Sequence, residues 1–89
     1  MNVTIDCAQI RTKSDFHTKF SQMLKLPGFY GENLDALHDC LTDLPQKSVI
    51  TLLHTQCLID NLGPYGRAAL SAMAHAEREN PGWLTINML

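Results

Sequence analysis

Alternating and continuous apolar runs predict three β-strands in this chain. Val3 and Ile5 alternate with polar neighbours, residues 49–53 form a nearly continuous apolar and β-branched run, and residues 83–89 end the chain with a third strand-like run. The three segments lie too far apart in sequence to be joined as hairpins. We therefore expect a small parallel sheet with right-handed crossover connections.

Helical spacing of apolar residues fills both connections between these strands. Residues 14–24, with Thr12 and Asp15 as a capping pair, and residues 34–44, with an N-cap at Asn33, predict two helices in the first connection. A short helix at residues 55–62 and an Ala-rich helix at residues 67–79 follow in the second connection. This order predicts one α/β domain over residues 1–89, with a three-stranded parallel sheet covered by about four helices.

The second predicted helix carries carboxylates on one face and no cation to balance them. Four of them fall within roughly 80° of one another on a helical wheel: Glu32, Asp35, Asp39 and Asp43. The i,i+4 pairs of like charge each cost a helix about 0.2–0.5 kcal/mol. Asp43 also lies in the last turn, where the helix dipole disfavours negative charge. A helix that gives up local stability in this way indicates a surface that binds a partner.

Charge and cysteine usage narrow the class of partner. The chain has 89 residues and a net charge of −2, and a basic stripe that would bind nucleic acid is absent. No apolar run approaches the length of about 20 residues that spans a bilayer, and the N-terminus lacks the charged-then-apolar order of a signal peptide. The three cysteines are odd in number and form no C-x-x-C element, so we expect reduced thiols and a cytoplasmic protein. We interpret each cysteine as a small buried apolar residue, with Cys40 fitting that interpretation best.

Motifs for catalysis or cofactor binding are missing. The four histidines show no H-x-x-x-H spacing, and no nucleophile elbow, P-loop or dinucleotide fingerprint is present. The carboxylates lack an EF-hand pattern, and one helix alone cannot wrap oxygen ligands around calcium. We therefore expect no enzyme, no cofactor and no metal, although a carboxylate-rich protein that binds divalent cations stays open as a third interpretation. His38 lies beside Asp39 and three residues after Asp35, and these acids should raise its pKa.

Two aromatic residues immediately precede the acidic helix. Phe29 and Tyr30 are followed by Gly31, and aromatic anchors beside charged residues are typical of a protein-binding hot spot. One ring could instead pack inward, with Gly31 providing a turn with positive φ. We expect one ring in each role.

The run YGENLDALHDCLT at residues 30–42 closely resembles the barstar family of intracellular ribonuclease inhibitors. The similarity extends back through QIRTKSDFH at residues 9–17 and LKLP at residues 24–27. It implies a barstar-like fold, monomeric when free, that binds a small, secreted, basic ribonuclease of the barnase type as a 1:1 heterodimer and covers its cationic active site. By this resemblance Asp39 is the central acidic contact. The whole partner-binding set comprises Phe29, Tyr30, Gly31, Asn33, Leu34, Asp35, His38, Asp39, Thr42, Asp43 and Glu79.

Several positions depart from the pattern of the family. His38 stands where a tryptophan is usual, Leu44 where a large aromatic is common, and Asp43 where a glycine is familiar. In the last helix, Glu79 is the first candidate for an acidic contact, and His75 is the candidate for the other contact position. These departures bear on which nuclease is bound. The alternative function is an immunity or regulatory module that neutralises a different basic toxin or enzyme.

Overall fold

Three parallel strands form the predicted sheet, and four α-helices occupy the two predicted connections. The computed structural model describes all of residues 1–89. In chain order the elements are β1 (Asn2–Asp6), a short 3-10 helix (Cys7–Gln9), α1 (Lys13–Leu24), α2 (Leu34–Thr42), β2 (Ser48–Leu53), α3 (Gln56–Leu62), α4 (Pro64–Glu79) and β3 (Leu84–Met88). The α/β fold class expected from the sequence is therefore confirmed. Every helix is too short or too polar to cross a membrane.

The sheet has the order β1-β2-β3, so β2 is the central strand and both neighbours run parallel to it. In this register Ile5 lies opposite Leu52, and Ile50 lies opposite Ile86. These side chains lie on one face of the sheet and are buried by the helices. On the other face of β2, Val49, Thr51 and Leu53 are only half-buried, so burial alternates along the strand although the sequence of residues 49–53 is nearly continuously apolar.

One continuous apolar core joins the sheet to the helices. Phe16 and Phe20 of α1 stack with ring centroids 4.4 Å apart and are completely buried. Leu37 and Leu41 of α2 and Met73 of α4 are equally buried. Since α2 and α4 pack against each other, the exposed side of α2 is held on a rigid base.

Local chemistry explains where α2 and α4 begin. The Asn33 side-chain oxygen accepts a hydrogen bond from the Ala36 amide at 2.8 Å, as predicted for an N-cap. α4 begins at Pro64, three residues before the predicted start. Gly63 reverses the chain with φ 61°, and proline is well suited to the first turn of a helix. A side chain at Gly66 would place its Cβ 2.1 Å from the Leu58 carbonyl oxygen, so α3 and α4 touch through backbone there.

Four details of the sequence interpretation are wrong. Glu32 lies before the N-cap, so it is not part of α2, and it takes the left-handed conformation with φ 51° that we assigned to Gly31. Asp43 is the C-cap of α2 instead of a residue of its last turn. Cys40 is only half-buried, whereas Cys7 is completely buried and burial raises its pKa to about 11.

Candidate partner-binding face

The carboxylates of Asp35, Asp39 and Asp43 lie on the exposed side of α2 and at its C-terminal end, and we call these three residues the acidic face. All four ion pairs in the protein use histidine as the cation, so no lysine or arginine neutralises this face. The Asp39 side chain is 84% exposed, and its nearest basic atom is His38 Nδ1 at 3.7 Å. The acidic face is therefore open to a cationic partner.

The two aromatic rings before α2 take different positions. Phe29 is 88% exposed and is the most exposed of the large apolar side chains. Tyr30 is half-buried against the core, and its hydroxyl hydrogen-bonds His17 Nδ1 at 2.5 Å. Burial raises the pKa of Tyr30, so the hydroxyl stays protonated at neutral pH. This geometry agrees with the expectation that one ring packs inward while the other faces solvent.

A groove of about 370 Å³ separates the chain before α2 from the end of that helix. Its apolar lining includes the buried residues Leu24 and Leu44, and Asp39, Asp43 and Phe29 also border it. Lys25 lies in the same lining but forms no ion pair. An apolar groove bordered by carboxylates that have no lysine or arginine partner suits a side chain with an apolar stem and a cationic head.

On the other side of α2, two histidines share one carboxylate oxygen. His38 Nε2 lies 2.8 Å from Glu79 Oε1, and His75 Nε2 lies 2.6 Å from the same atom. The hydrogen bond with Glu79 is the main cause of a raised pKa at His38, and His38 in turn lowers the pKa of Glu79. The raised pKa agrees with the sequence expectation, but its main source is Glu79 on α4, and Asp39 contributes less.

This cluster could not be predicted from local sequence patterns, because it requires α2 to pack against α4. The i,i+4 spacing of His75 and Glu79 on one helix was the signal that could have indicated half of it. His38 joins them from a position 41 residues before Glu79.

The remaining predicted site residues shape the two ends of α2. The Asn33 side-chain amide donates to the Gly31 carbonyl at 3.2 Å and so holds the entry loop. Thr42 donates its hydroxyl hydrogen bond to the Asp39 carbonyl at 3.0 Å. Leu34 is half-buried and borders a second groove between α2 and α4, together with Asp35, His38 and His75. All eleven predicted residues thus lie on α2, in the loop before it, at its C-cap or at the adjoining end of α4.

Comparison with known proteins identifies the family of this chain. A sequence model of the family described as Barstar (barnase inhibitor) matches residues 1–85, and the chain belongs to this family. A protein of Bacillus subtilis (strain 168), named "Putative ribonuclease inhibitor YrdF", is 34% identical over 82 residues, which cover 86% of each chain. The family resemblance inferred from residues 30–42 is therefore confirmed.

Proposed function

We propose that this protein inhibits a small, secreted, barnase-type ribonuclease by binding it 1:1 and covering its cationic active site with α2 and the loop before it. The observation that carries the proposal is the state of Asp39, which is 84% exposed and has no lysine or arginine partner. Membership of the barstar family supports the same role, since the family is described as barnase inhibitors.

The mechanism is occlusion by mimicry of phosphate charge. A ribonuclease holds RNA phosphates with cationic side chains, and carboxylates accept charge-assisted hydrogen bonds from the same donors. The acidic face would take the place of RNA phosphates, with Asp39 at its centre and Asp35 and Asp43 one turn to either side. The covered cleft then excludes substrate without any chemical step in the inhibitor, which is consistent with a protein that is not an enzyme.

Apolar contacts would add to the charge contacts at the edge of the interface. Phe29 stands in solvent beside the groove that Leu24 and Leu44 line, and exposed aromatic side chains of this kind are frequent anchors in protein interfaces. Hydrogen bonds of Tyr30, Gly31, Asn33 and Thr42 hold the shape of the loop and helix. Leu34 packs against the core at the start of α2. His38 and Glu79 extend the contact surface onto α4.

In the cell, such an inhibitor acts in the cytoplasm, where it protects the producing cell from its own nuclease before secretion. A free monomer with reduced thiols is the form that we expect there.

The deciding experiment titrates a barnase-type ribonuclease with the wild-type protein and with Asp39→Ala. We expect stoichiometric inhibition by the wild type and a loss of about 2–5 kcal/mol or more of binding free energy in Asp39→Ala, because a buried cation of the nuclease is left unpaired. That range rests on complexes that include barnase with barstar itself. Asp60→Ala is the matched control, since it removes a carboxylate from α3 and not from the acidic face.

Two results would contradict the proposal. If Asp39→Ala folds and inhibits as well as the wild type, the acidic face does not carry the binding. If the wild type inhibits no barnase-type ribonuclease, the protein instead serves another basic partner, such as a toxin of a different class.

A further inference from the structure

We propose that His38, His75 and Glu79 form a binding site for a divalent transition-metal ion of the zinc class. Two helices bring these side chains together, with His38 on α2 and the other two on α4. One donor atom from each residue lies within 4.8 Å of the other two. Two imidazoles and one carboxylate are ligands that zinc commonly uses in proteins, and the remaining positions stay open to water or to another molecule.

The distances leave room for an ion after a small movement. In a tetrahedral zinc site with bonds of about 2.0–2.1 Å, ligand atoms lie roughly 3.3 Å apart. The two imidazole nitrogens now lie 2.8 and 2.6 Å from Glu79 Oε1. A shift of the carboxylate oxygen by less than about 1 Å would bring both nitrogen–oxygen distances to this value, and the two nitrogens already lie within 4.8 Å of each other.

The direction of the two rings also favours a metal. Both histidines point their Nε2 atoms at the same oxygen, and their ring centroids lie 5.6 Å apart. Each Nδ1 atom is thus left on the outer side of the ring, where a second partner can orient the ligand. At His38 the Asp39 carboxylate lies 3.7 Å from Nδ1, just beyond hydrogen-bond distance, and a small movement would let it orient a metal-bound imidazole as carboxylates commonly do.

The scaffold beneath the cluster is rigid, while the cluster itself is accessible. Leu37 and Leu41 of α2 and Met73 and Ala76 of α4 are all buried, so the two helix backbones are fixed by packing. The side chains of His75 and Glu79 are 59% and 45% exposed, and an ion can reach them from solvent. The ligand types favour zinc, copper or nickel over magnesium or calcium, because imidazole suits the former ions and the latter prefer oxygen.

The test is titration of the untagged, full-length protein with zinc chloride by calorimetry and with cobalt(II) by visible spectroscopy. We expect one ion per chain. His75→Gln and Glu79→Gln should each lower the affinity at least about tenfold, because even an outer-shell change costs a metal site about 10–100-fold. His54→Gln is the matched control, since His54 contacts Asp6 outside the cluster and its loss should leave the affinity unchanged.

Cobalt spectra separate this site from the cysteines. A nitrogen and oxygen site gives no thiolate-to-metal charge-transfer band, whereas binding at Cys40 or Cys57 would give one. The proposal is overturned if neither ion binds at millimolar concentration, if the band appears, or if both cluster variants bind as tightly as the wild type. Circular dichroism of each variant checks that it is folded, and all three substituted side chains are exposed, so folding should persist.

Discussion

His17 is the residue that ties the loop before α2 to two other elements. It is a buried side chain of α1, and its two ring nitrogens hydrogen-bond the hydroxyls of Tyr30 at 2.5 Å and Tyr65 at 2.6 Å. A neutral imidazole can satisfy both, with one nitrogen donating and the other accepting. His17 therefore fixes Tyr30, and with it the start of the proposed partner-binding face, against α1 and α4.

The burial of His17 should make stability depend on pH. Burial lowers its pKa below 6.5, and the weaker opposing effect of Glu32 does not reverse this. The unfolded chain then binds a proton more readily than the folded protein does. The stability that the neutral His17 side chain contributes is therefore present above about pH 6.5. This contribution is lost as the pH falls from that value through the lower pKa of His17 in the folded protein.

His17→Gln tests this dependence. At neutral pH the variant should lose about 1–3 kcal/mol of unfolding free energy, because at least one tyrosine hydroxyl loses its partner. The difference in unfolding free energy between wild type and variant, measured by urea denaturation, should be smaller about one unit below pH 6.5 than at neutral pH. A gap that is equal at both pH values would contradict the assignment. His54→Gln, which removes an exposed imidazole, should not reproduce the shrinkage.

At the scale of the element, α2 trades its own stability for an exposed acidic surface. Asp35 lies in the first turn, where the helix dipole favours a carboxylate, whereas Asp43 is the C-cap, where the dipole opposes one. Both are also four residues from Asp39 and are repelled by it. At Asp43 the helix dipole and the repulsion from Asp39 both lower the stability of the helix. At Asp35 the dipole raises the stability while the repulsion lowers it.

Asp43→Asn should therefore stabilise the free protein. Removal of the dipole penalty contributes about 0.3–1 kcal/mol, and removal of the repulsion from Asp39 adds about 0.2–0.5 kcal/mol. Asp35→Asn is the matched comparison, and it should leave stability nearly unchanged or lower it slightly because the same two effects oppose. Urea denaturation at low salt measures the unfolding free energies of both variants. Added salt should reduce the difference in unfolding free energy between them. A less stable Asp43→Asn protein would show that Asp43 has a favourable contact.

How well each element could be predicted depended on how local its signals are. The N-cap of α2 lies within three residues of the amide that it binds, so Asn33 could be identified from sequence. The start of α4 depends on the left-handed turn at Gly63, and the spacing of apolar residues does not encode that turn. The meeting of His38 with Glu79 depends on the packing of two helices distant in sequence, which no local pattern contains.

At the scale of the whole molecule, the position of charge matters more than its total. The net charge is only −2, with nine acidic and seven basic residues. None of the basic lysine and arginine side chains forms an ion pair with the acidic face. Since carboxylates without a lysine or arginine partner on one face produce a directed field, the protein can attract a basic partner to that face even though its net charge is small.

This arrangement predicts that the proposed association with a barnase-type ribonuclease is accelerated by electrostatic attraction. The association rate constant should fall as salt rises to about 0.15 M, where the Debye length is about 8 Å. Asp35→Asn should lower the rate at low salt and flatten its salt dependence, because the charge that it removes lies on the acidic face. Asp60→Asn removes the same charge from α3 and should change both much less. Equal effects of the two variants in stopped-flow measurements would mean that net charge, and not the acidic face, governs the encounter.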